Sequence, residues 1–278
     1  MNWKAKALEM ANKGDMSWRE IAKRLGVPRS TVSDYLRNNI NKNVGTGNVL
    51  VISDMHLPFQ HKDTFRFLQA LKDKYKPSIV VCIGDECDKH SMSYHESETS
   101  LPSANDELAM ATKHILELEK MFPEMYLVES NHGSLAYRKA KTAGIPNQYL
   151  KSYNEVYGVG SGWKWMDHLV MNIHGQDVLF IHGKTTDVTK VSKANSMCVV
   201  QGHYHTLSKV EWWQPYGYGN DKPKRRWAMQ VGCLIDNSSA AFNYNKQSPI
   251  APIISCGIIV NGKPEIVFME DVLTDDKG

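Results

Sequence analysis

The sequence has no apolar run of the roughly 18 residues that a membrane-spanning helix needs, so no membrane partner is expected. Its first residues, Met1-Asn2-Trp3-Lys4, lead into a charged amphipathic stretch and not into an apolar signal core, which argues against export. Cysteine is scarce. Cys82, Cys87, Cys198, Cys233 and Cys256 are odd in number and form no Cys-x-x-Cys pair. Three of them, Cys82, Cys198 and Cys256, sit in apolar runs, so reduced thiols in a cytoplasmic setting are the simplest reading. Internal repeats and low-complexity tracts are also absent. A strong excess of one charge is lacking too, but the net +3 hides an asymmetry. Residues 1–47 hold nine Lys or Arg against four Asp or Glu, while the remainder holds 24 against 26. The front of the chain therefore suits a polyanion and the rest as a whole does not.

That basic front carries a helical pattern. Ser17 begins a helix with Glu20 three residues on, the spacing of a capping box. Ile21, Ala22 and Leu25 share one face, Gly26 supplies a turn, and Pro28 suits the start of a second helix. Thr31, Val32, Tyr35 and Leu36 set a second amphipathic face, with Leu8 and Ala11 of an earlier helix closing a small core. The whole is similar to a helix-turn-helix. In that family the second helix enters the DNA major groove, so Arg29, Ser30, Thr31 and Ser33 near its start become candidate DNA contacts, with Arg24 and Arg37 suited to phosphates. One such head binds weakly and specific recognition takes two half-sites, so a homodimer is one expectation. The alternative is a helical hairpin used for protein contacts. Residues 39–48 are polar and contain Gly45 and Gly47, which predicts a flexible linker between a head at 1–38 and a body at 49–278.

In the body, apolar runs alternate with helical patterns: strands at 49–52, 79–83 and 126–128, helices at 63–74 and 104–121. That alternation predicts a largely parallel α/β core. Beyond about residue 160 strand-like stretches dominate, at 163–173, 177–181, 197–201, 207–213, 227–235, 253–260 and 265–270, with one helix near 187–195. The predicted architecture is a layered α/β sandwich of two mixed sheets flanked by helices, preceded by a small all-α helix-turn-helix domain. Five islands of polar residues each end an apolar run: Asp54-Met55-His56, Gly84-Asp85 with Asp88, Asn131-His132, His182-Gly183, and Gly202-His203-Tyr204-His205. Side chains of this kind are what a pair of divalent metals needs, and ligands collect at strand C-terminal ends in open α/β sheets.

The ordered set Asp-x-His, Gly-Asp-x-x-Asp, Asn-His, His and Gly-His-x-His resembles the calcineurin-like metallophosphoesterase superfamily, over roughly residues 49–206. The resemblance implies that fold and two divalent ions, with Mn expected and Fe, Zn or Ni as alternatives. It implies that Asp54, His56 and His205 hold one ion, that Asn131, His182 and His203 hold the other, and that Asp85 bridges both. It further implies hydrolysis of P–O bonds by a metal-bridged hydroxide, with His132 as the acid and Asp88 as the carboxylate that orients it. The chain departs from the family pattern at Ser130, where Gly is usual, and at Gly133, where an acidic residue often stands. Lys89 replaces the phosphate-binding Arg of the Ser/Thr phosphoprotein phosphatases, which disfavours that branch. His61, His90, His95, His114, His168 and His174 read as ordinary surface or core residues, and Trp163 and Trp165 as core.

Two features lean toward a nucleic-acid substrate. One is the head. The other is the segment 211–227, where Trp212, Trp213, Tyr216 and Tyr218 precede Lys224, Arg225 and Arg226. Aromatic rings stack on unpaired bases and a basic cluster tracks phosphates, although a hairpin packed on its own sheet with a solvated basic tip explains the same residues. The expected function is a metal-dependent phosphodiesterase, a DNA-directed nuclease of a bacterial or viral protein in the host cytoplasm. The alternatives are a phosphomonoesterase acting on nucleotides or phosphoproteins, and a DNA-binding regulator with a metal-sensing body.

Overall fold

The computed structural model describes residues 3–13, 16–39, 47–94, 98–216, 224–245 and 249–273. Most of the expected linker, together with His95 and the tip of the 211–227 segment, lies outside them. Helices α1 (Trp3–Lys13), α2 (Trp18–Leu25) and α3 (Arg29–Asn39) form the head. Ser17 caps α2 with a full capping box, accepting from the Glu20 backbone while the Glu20 carboxylate accepts from the Ser17 N–H at 3.1 Å. Gly26 ends α2 at φ 62°, a left-handed conformation that only glycine adopts without steric cost. Ala7, Ile21, Ala22, Val32 and Leu36 are buried together, with Trp3, Ala11, Leu25 and Tyr35 packed around them. The side chain of Leu8 is not among the described ones.

The body contains two sheets. The first runs β11 (Lys263–Phe268), β10 (Ser255–Val260), β1 (Val49–Ile52), β2 (Ile79–Cys82), β3 (Met125–Val128) and β4 (Trp163–Met166). Within it β1 to β4 are mutually parallel, and β10 and β11 add an antiparallel edge. The second runs β5 (Leu169–Ile173), β6 (Gln176–Ile181), β7 (Cys198–Gln201), β9 (Arg226–Gln230) and β8 (Lys209–Trp213). Here β6, β7 and β9 are parallel, flanked by antiparallel β5 and β8.

Two apolar layers explain the stacking. Val49, Val51, Val81 and Ile83 face Val178, Phe180, Val200, Trp227 and Met229, joining sheet to sheet. The alternate residues Leu50, Ile52 and Cys82 face the other way, toward α4 (Thr64–Tyr75), α5 (Ala104–Met121), α7 (Tyr153–Tyr157) and α9 (Met269–Leu273). This period-two division buries both faces of the parallel strands. On the outer side of the second sheet, α8 (Val188–Asn195) packs Val188 against Leu179, Val199 and Ala228. The order is helices, sheet, sheet, helix, the layered sandwich the sequence predicts. All five cysteines are buried free thiols, and no described helix is long and apolar enough to cross a membrane.

Three expectations needed correction. The stretch 163–173 is two strands, because the chain leaves the first sheet after Met166 and enters the second at Leu169. The stretch 227–235 stops as a strand at Gln230, and its last residues instead form isolated bridges to Ile254 and Gln60. The 265–270 strand starts earlier, at Lys263, and gives way to α9 at Met269.

Candidate metal centre

Parallel strands in one sheet end at one edge, so the segments after β1, β2 and β3 emerge side by side, and those after β6 and β7 emerge beside them. The backbone binds these exits together. Asp54 N donates to Gly84 O at 3.1 Å, His56 N to Asp85 O at 2.9 Å, and Gly202 N to His182 O at 2.8 Å. Asp54 (φ 49°), His56 (φ 49°), Asp85 (φ 51°) and His203 (φ 72°) all sit in the left-handed region. A non-glycine residue there costs about 1–2 kcal/mol, and such outliers cluster at functional sites.

The side chains converge in two groups. In the first, His205 Nε2 lies 3.3 Å from Asp54 Oδ1 and 3.2 Å from His56 Nε2. In the second, His182 Nε2 lies 2.7 Å from Asn131 Oδ1 and 3.1 Å from His203 Nδ1. One atom belongs to both groups: Asp85 Oδ2 is 3.6 Å from His56 Nε2 and 3.2 Å from His182 Nε2. Thus the seven expected ligand residues meet, with the Asp85 carboxylate between the two trios.

The residues fit divalent cations. Asp54, Asp85 and Asp88 are all buried, and among the described residues their ion-pair partners are histidines and not Lys or Arg. Buried carboxylates are costly unless a positive charge compensates them. The ring nitrogens point inward because their outer nitrogens are engaged. His56 Nδ1 donates to Asp88 Oδ1 at 2.6 Å, and His182 Nδ1 donates to Ile83 O at 3.0 Å. Such contacts fix the tautomer and leave Nε2 as the lone-pair donor.

The electrostatics follow. Burial opposes the charge on His56, but contacts with Asp54 and Asp88 outweigh it and push its pKa up to about 10. Burial likewise opposes His182, but the Asp85 charge raises it to about 9. Asp54 and Asp85 are held well below the usual carboxylate range despite burial, Asp54 chiefly by hydrogen bonds from His205 and His56 and Asp85 chiefly by the charges of His182 and His132. Burial lowers His132 and His203.

His132 lies at the same centre, its ring centroid 4.7 Å from that of His56. Its backbone N donates to Asp85 Oδ1 at 3.1 Å. The contact with Asp88 differs from the expected one. The His132 Nδ1 donates to the Asp88 backbone carbonyl, while the Asp88 carboxylate is 3.6 Å away and engages His56. Asp88 therefore orients two imidazoles, one through its side chain and one through its main chain.

The two family departures are coupled. Ser130 Oγ accepts from Asp85 N at 2.9 Å and from Gly133 N at 3.0 Å, so this hydroxyl braces the loop. A Cβ at Gly133 would come within 2.8 Å of that oxygen, which is why no acidic side chain follows His132 here. Lys89 donates to the Gly133 carbonyl and lies 5.5 Å from the Tyr153 ring, bracing the same loop from behind. Phe242 packs edge-on against His56 at 5.4 Å. It comes from a distant segment, and no sequence signal marks it as a neighbour of the centre.

The other candidates fall elsewhere. Arg29, Ser30 and Thr31 are exposed at the start of α3 and Ser33 is half-buried; the Arg37 side chain is not among the described ones. Lys224 and Arg225 are exposed, and Arg225 stacks on Trp212 at 4.8 Å. Strand direction keeps Lys224, Arg225 and Arg226, the expected substrate contacts of the 211–227 segment, apart from the metal centre. β9 runs parallel to β7 with Gln230 beside Gln201. Arg226 thus begins β9 at the end of the sheet away from His203, four residues or about 13 Å down the strand from Gln230. His90 is buried beside Asp88, with 3.8 Å between Nδ1 and Oδ2.

A family model for calcineurin-like phosphoesterases matches residues 47–252, and one for a homeodomain-like domain matches residues 3–42. No curated protein matches the sequence. Among solved structures, vacuolar protein sorting 29 from Cryptosporidium parvum is 15% identical, covering 80% of this chain and 95% of its own at a TM-score of 0.41. A novel archaeal phosphodiesterase is 11% identical, with 80% and 99% covered and a TM-score of 0.40. Vps29 from Entamoeba histolytica, complexed with zinc, is 14% identical, with 80% and 99% covered and a TM-score of 0.39. Resemblances this distant say nothing about activity. The family match spans most of the chain, and with the converged Asp, Asn and His side chains it carries the conclusion: this chain belongs to the calcineurin-like phosphoesterases, metal-dependent hydrolases of phosphate esters.

Proposed function

We propose that the protein is a two-metal phosphodiesterase that cleaves DNA, with the head at 1–38 bringing the body at 49–278 to its substrate. The observation that carries this reading is the pairing, in one chain, of a phosphoesterase centre with a helix-turn-helix whose second helix begins on exposed Arg29, Ser30 and Thr31. Phosphate contacts from such a helix orient a protein on the duplex and base contacts give sequence preference. A homodimer would present two heads to two half-sites.

Asp54, His56 and His205 would hold one cation, Asn131, His182 and His203 the other, and Asp85 would touch both. Manganese is the expected metal, since mixed imidazole and carboxylate sets suit it. Cations bound there supply Lewis acidity toward the phosphoryl oxygens and a water-derived nucleophile at neutral pH. His132 handles the leaving group. Its Nδ1 proton is committed to the Asp88 carbonyl, so proton exchange falls to Nε2.

The test is a substrate panel. Protein stripped of metal and resupplied with Mn²⁺ should hydrolyse DNA and a simple phosphodiester faster than a monoester. Monoester turnover far above diester turnover would replace this reading with a phosphomonoesterase. Tight sequence-selective DNA binding without hydrolysis of any ester would replace it with a regulator.

A further inference from the structure

The metal centre is walled on one side and open on the other. Asp54, His56, Asp85, Asp88 and His182 are buried, whereas Asn131 is exposed and the His132 side chain is 21% exposed. At that opening the chain turns into α6 (Leu135–Thr142), whose sequence LAYRKAKT carries Arg138, Lys139 and Lys141 and no acidic residue. Arg138 Nη2 donates to the Asn131 carbonyl at 2.5 Å, which anchors the guanidinium at the lip of the centre. The same guanidinium lies 5.4 Å from the ring centroid of Tyr94, and Lys139 Nζ lies 5.3 Å from it. Tyr94 arrives from the segment after Asp88, and it is 61% exposed despite its size.

We infer that Tyr94, Arg138 and Lys139 form a nucleotide-binding rim. On it an unpaired base next to the scissile phosphate stacks on the Tyr94 ring, and the flanking phosphate is held by the two cations. This rests on the DNA-cleaving reading above and names the form of the substrate: a single strand, a flap or a frayed end. The chemistry is specific. An aromatic face with adjacent cations is the recurring platform for unpaired nucleotides, because every base has a π-face and every linkage a negative charge. A guanidinium offers planar donors to a phosphate while keeping one for the Asn131 carbonyl. Two adjacent cations sharing one ring also repel each other, and an incoming phosphate relieves that repulsion. A base paired inside a duplex cannot reach the ring, which is why the rim selects unpaired substrate. The basic cluster at 224–226 cannot do this work from the other end of the sheet.

The test uses the full chain without metal and a short single strand of DNA containing 2-aminopurine, whose fluorescence is quenched on stacking. The wild-type protein should bind and quench. Tyr94→Ala and Arg138→Ala should each weaken binding about tenfold, a stacking or charge contribution of ordinary size. Tyr94→Phe, which keeps the ring, should retain the quench. With Mn²⁺ restored, the ratio of kcat/KM on the strand to kcat/KM on a small diester should fall about tenfold in Tyr94→Ala. Unchanged binding and an unchanged ratio in Tyr94→Ala, Arg138→Ala and Lys139→Gln would overturn the rim, as would a wild-type protein that fails to quench the probe. A wild-type protein that binds and quenches yet hydrolyses no DNA would leave the rim standing and remove the nuclease reading instead.

Discussion

In the head, the residue that bends into the left-handed region to end α2 is Gly26; around the metal centre the residues that do so are Asp54, His56, Asp85 and His203. The head places its polar side chains outside, at exposed Arg29, Ser30 and Thr31. The centre buries carboxylates from two strand exits, Asp54 after β1 and Asp85 and Asp88 after β2. One region adopts the conformations its residues prefer, and the other holds residues where they do not prefer to be. The surrounding structure makes that tenable. Parallel strands fix the exits, and main-chain bonds such as His56 N to Asp85 O tie one strained exit to the next. A bound metal would compensate the buried charge at the centre, whereas the described head buries an apolar cluster.

The comparison is tested most severely by the shared carboxylate. Asp85→Asn keeps the volume and removes the charge between the trios. It should lower turnover about a thousandfold or more, the scale of losing several kcal/mol of transition-state stabilisation, while circular dichroism stays that of the folded chain. Turnover within tenfold of wild type would mean the two trios do not act through Asp85. His132→Ala comes next, with kcat expected to fall by about 10²–10⁴-fold. Bound-metal content should stay at the wild-type level, since His132 is not among the seven proposed ligands; loss of metal in this variant would make it a ligand and not the acid.

The two regions were legible in the sequence for different reasons. The head is written in local signals: Ser17 to Glu20, Gly26, then apolar positions at helical spacing. The centre was legible because each island ends an apolar run, and parallel strands deliver their ends to one edge. What escaped needs distance or direction. Phe242 meets His56 across 186 positions of chain. Tyr94 meets Arg138 only because α6 folds back over the segment after Asp88. Proximity in sequence to the last island does not place 224–226 at the centre, because it says nothing of which end of a parallel strand a residue occupies. α7 spans only five residues, too few to show a helical period, although Ser152 and Glu155 repeat the capping box seen at Ser17 and do mark its start.

A smaller effect separates the regions by pH. In metal-free protein the folded pKa of His56 is about 10 and that of His182 about 9, both above the ordinary imidazole value. Groups raised in this way stabilise the fold fully below the unfolded pKa of about 6.5, and that contribution disappears as pH rises through the folded values. Thermal melts of metal-free protein should therefore show the body losing stability between about pH 6.5 and 10. Metal binding must displace those protons, so loading should release protons and tighten as pH rises over the same window. A metal-free body whose melting temperature is flat across it would contradict charged imidazoles at the centre.

The smallest effect belongs to the head. Ser17→Ala removes the hydroxyl that accepts from the Glu20 backbone and half of the reciprocal pair that starts α2. The expected cost is about 1 kcal/mol. It should appear in hydrogen exchange of the amides of α2, because the head has its own buried cluster of Ala7, Ile21, Ala22, Val32 and Leu36. Turnover of a small diester should not change, since Ser17 bonds Glu20 in the first turn of its own helix. If Ser17→Ala did slow that reaction, the head would be coupled to the chemistry itself, and the division between a region built for stability and one built for catalysis would fail.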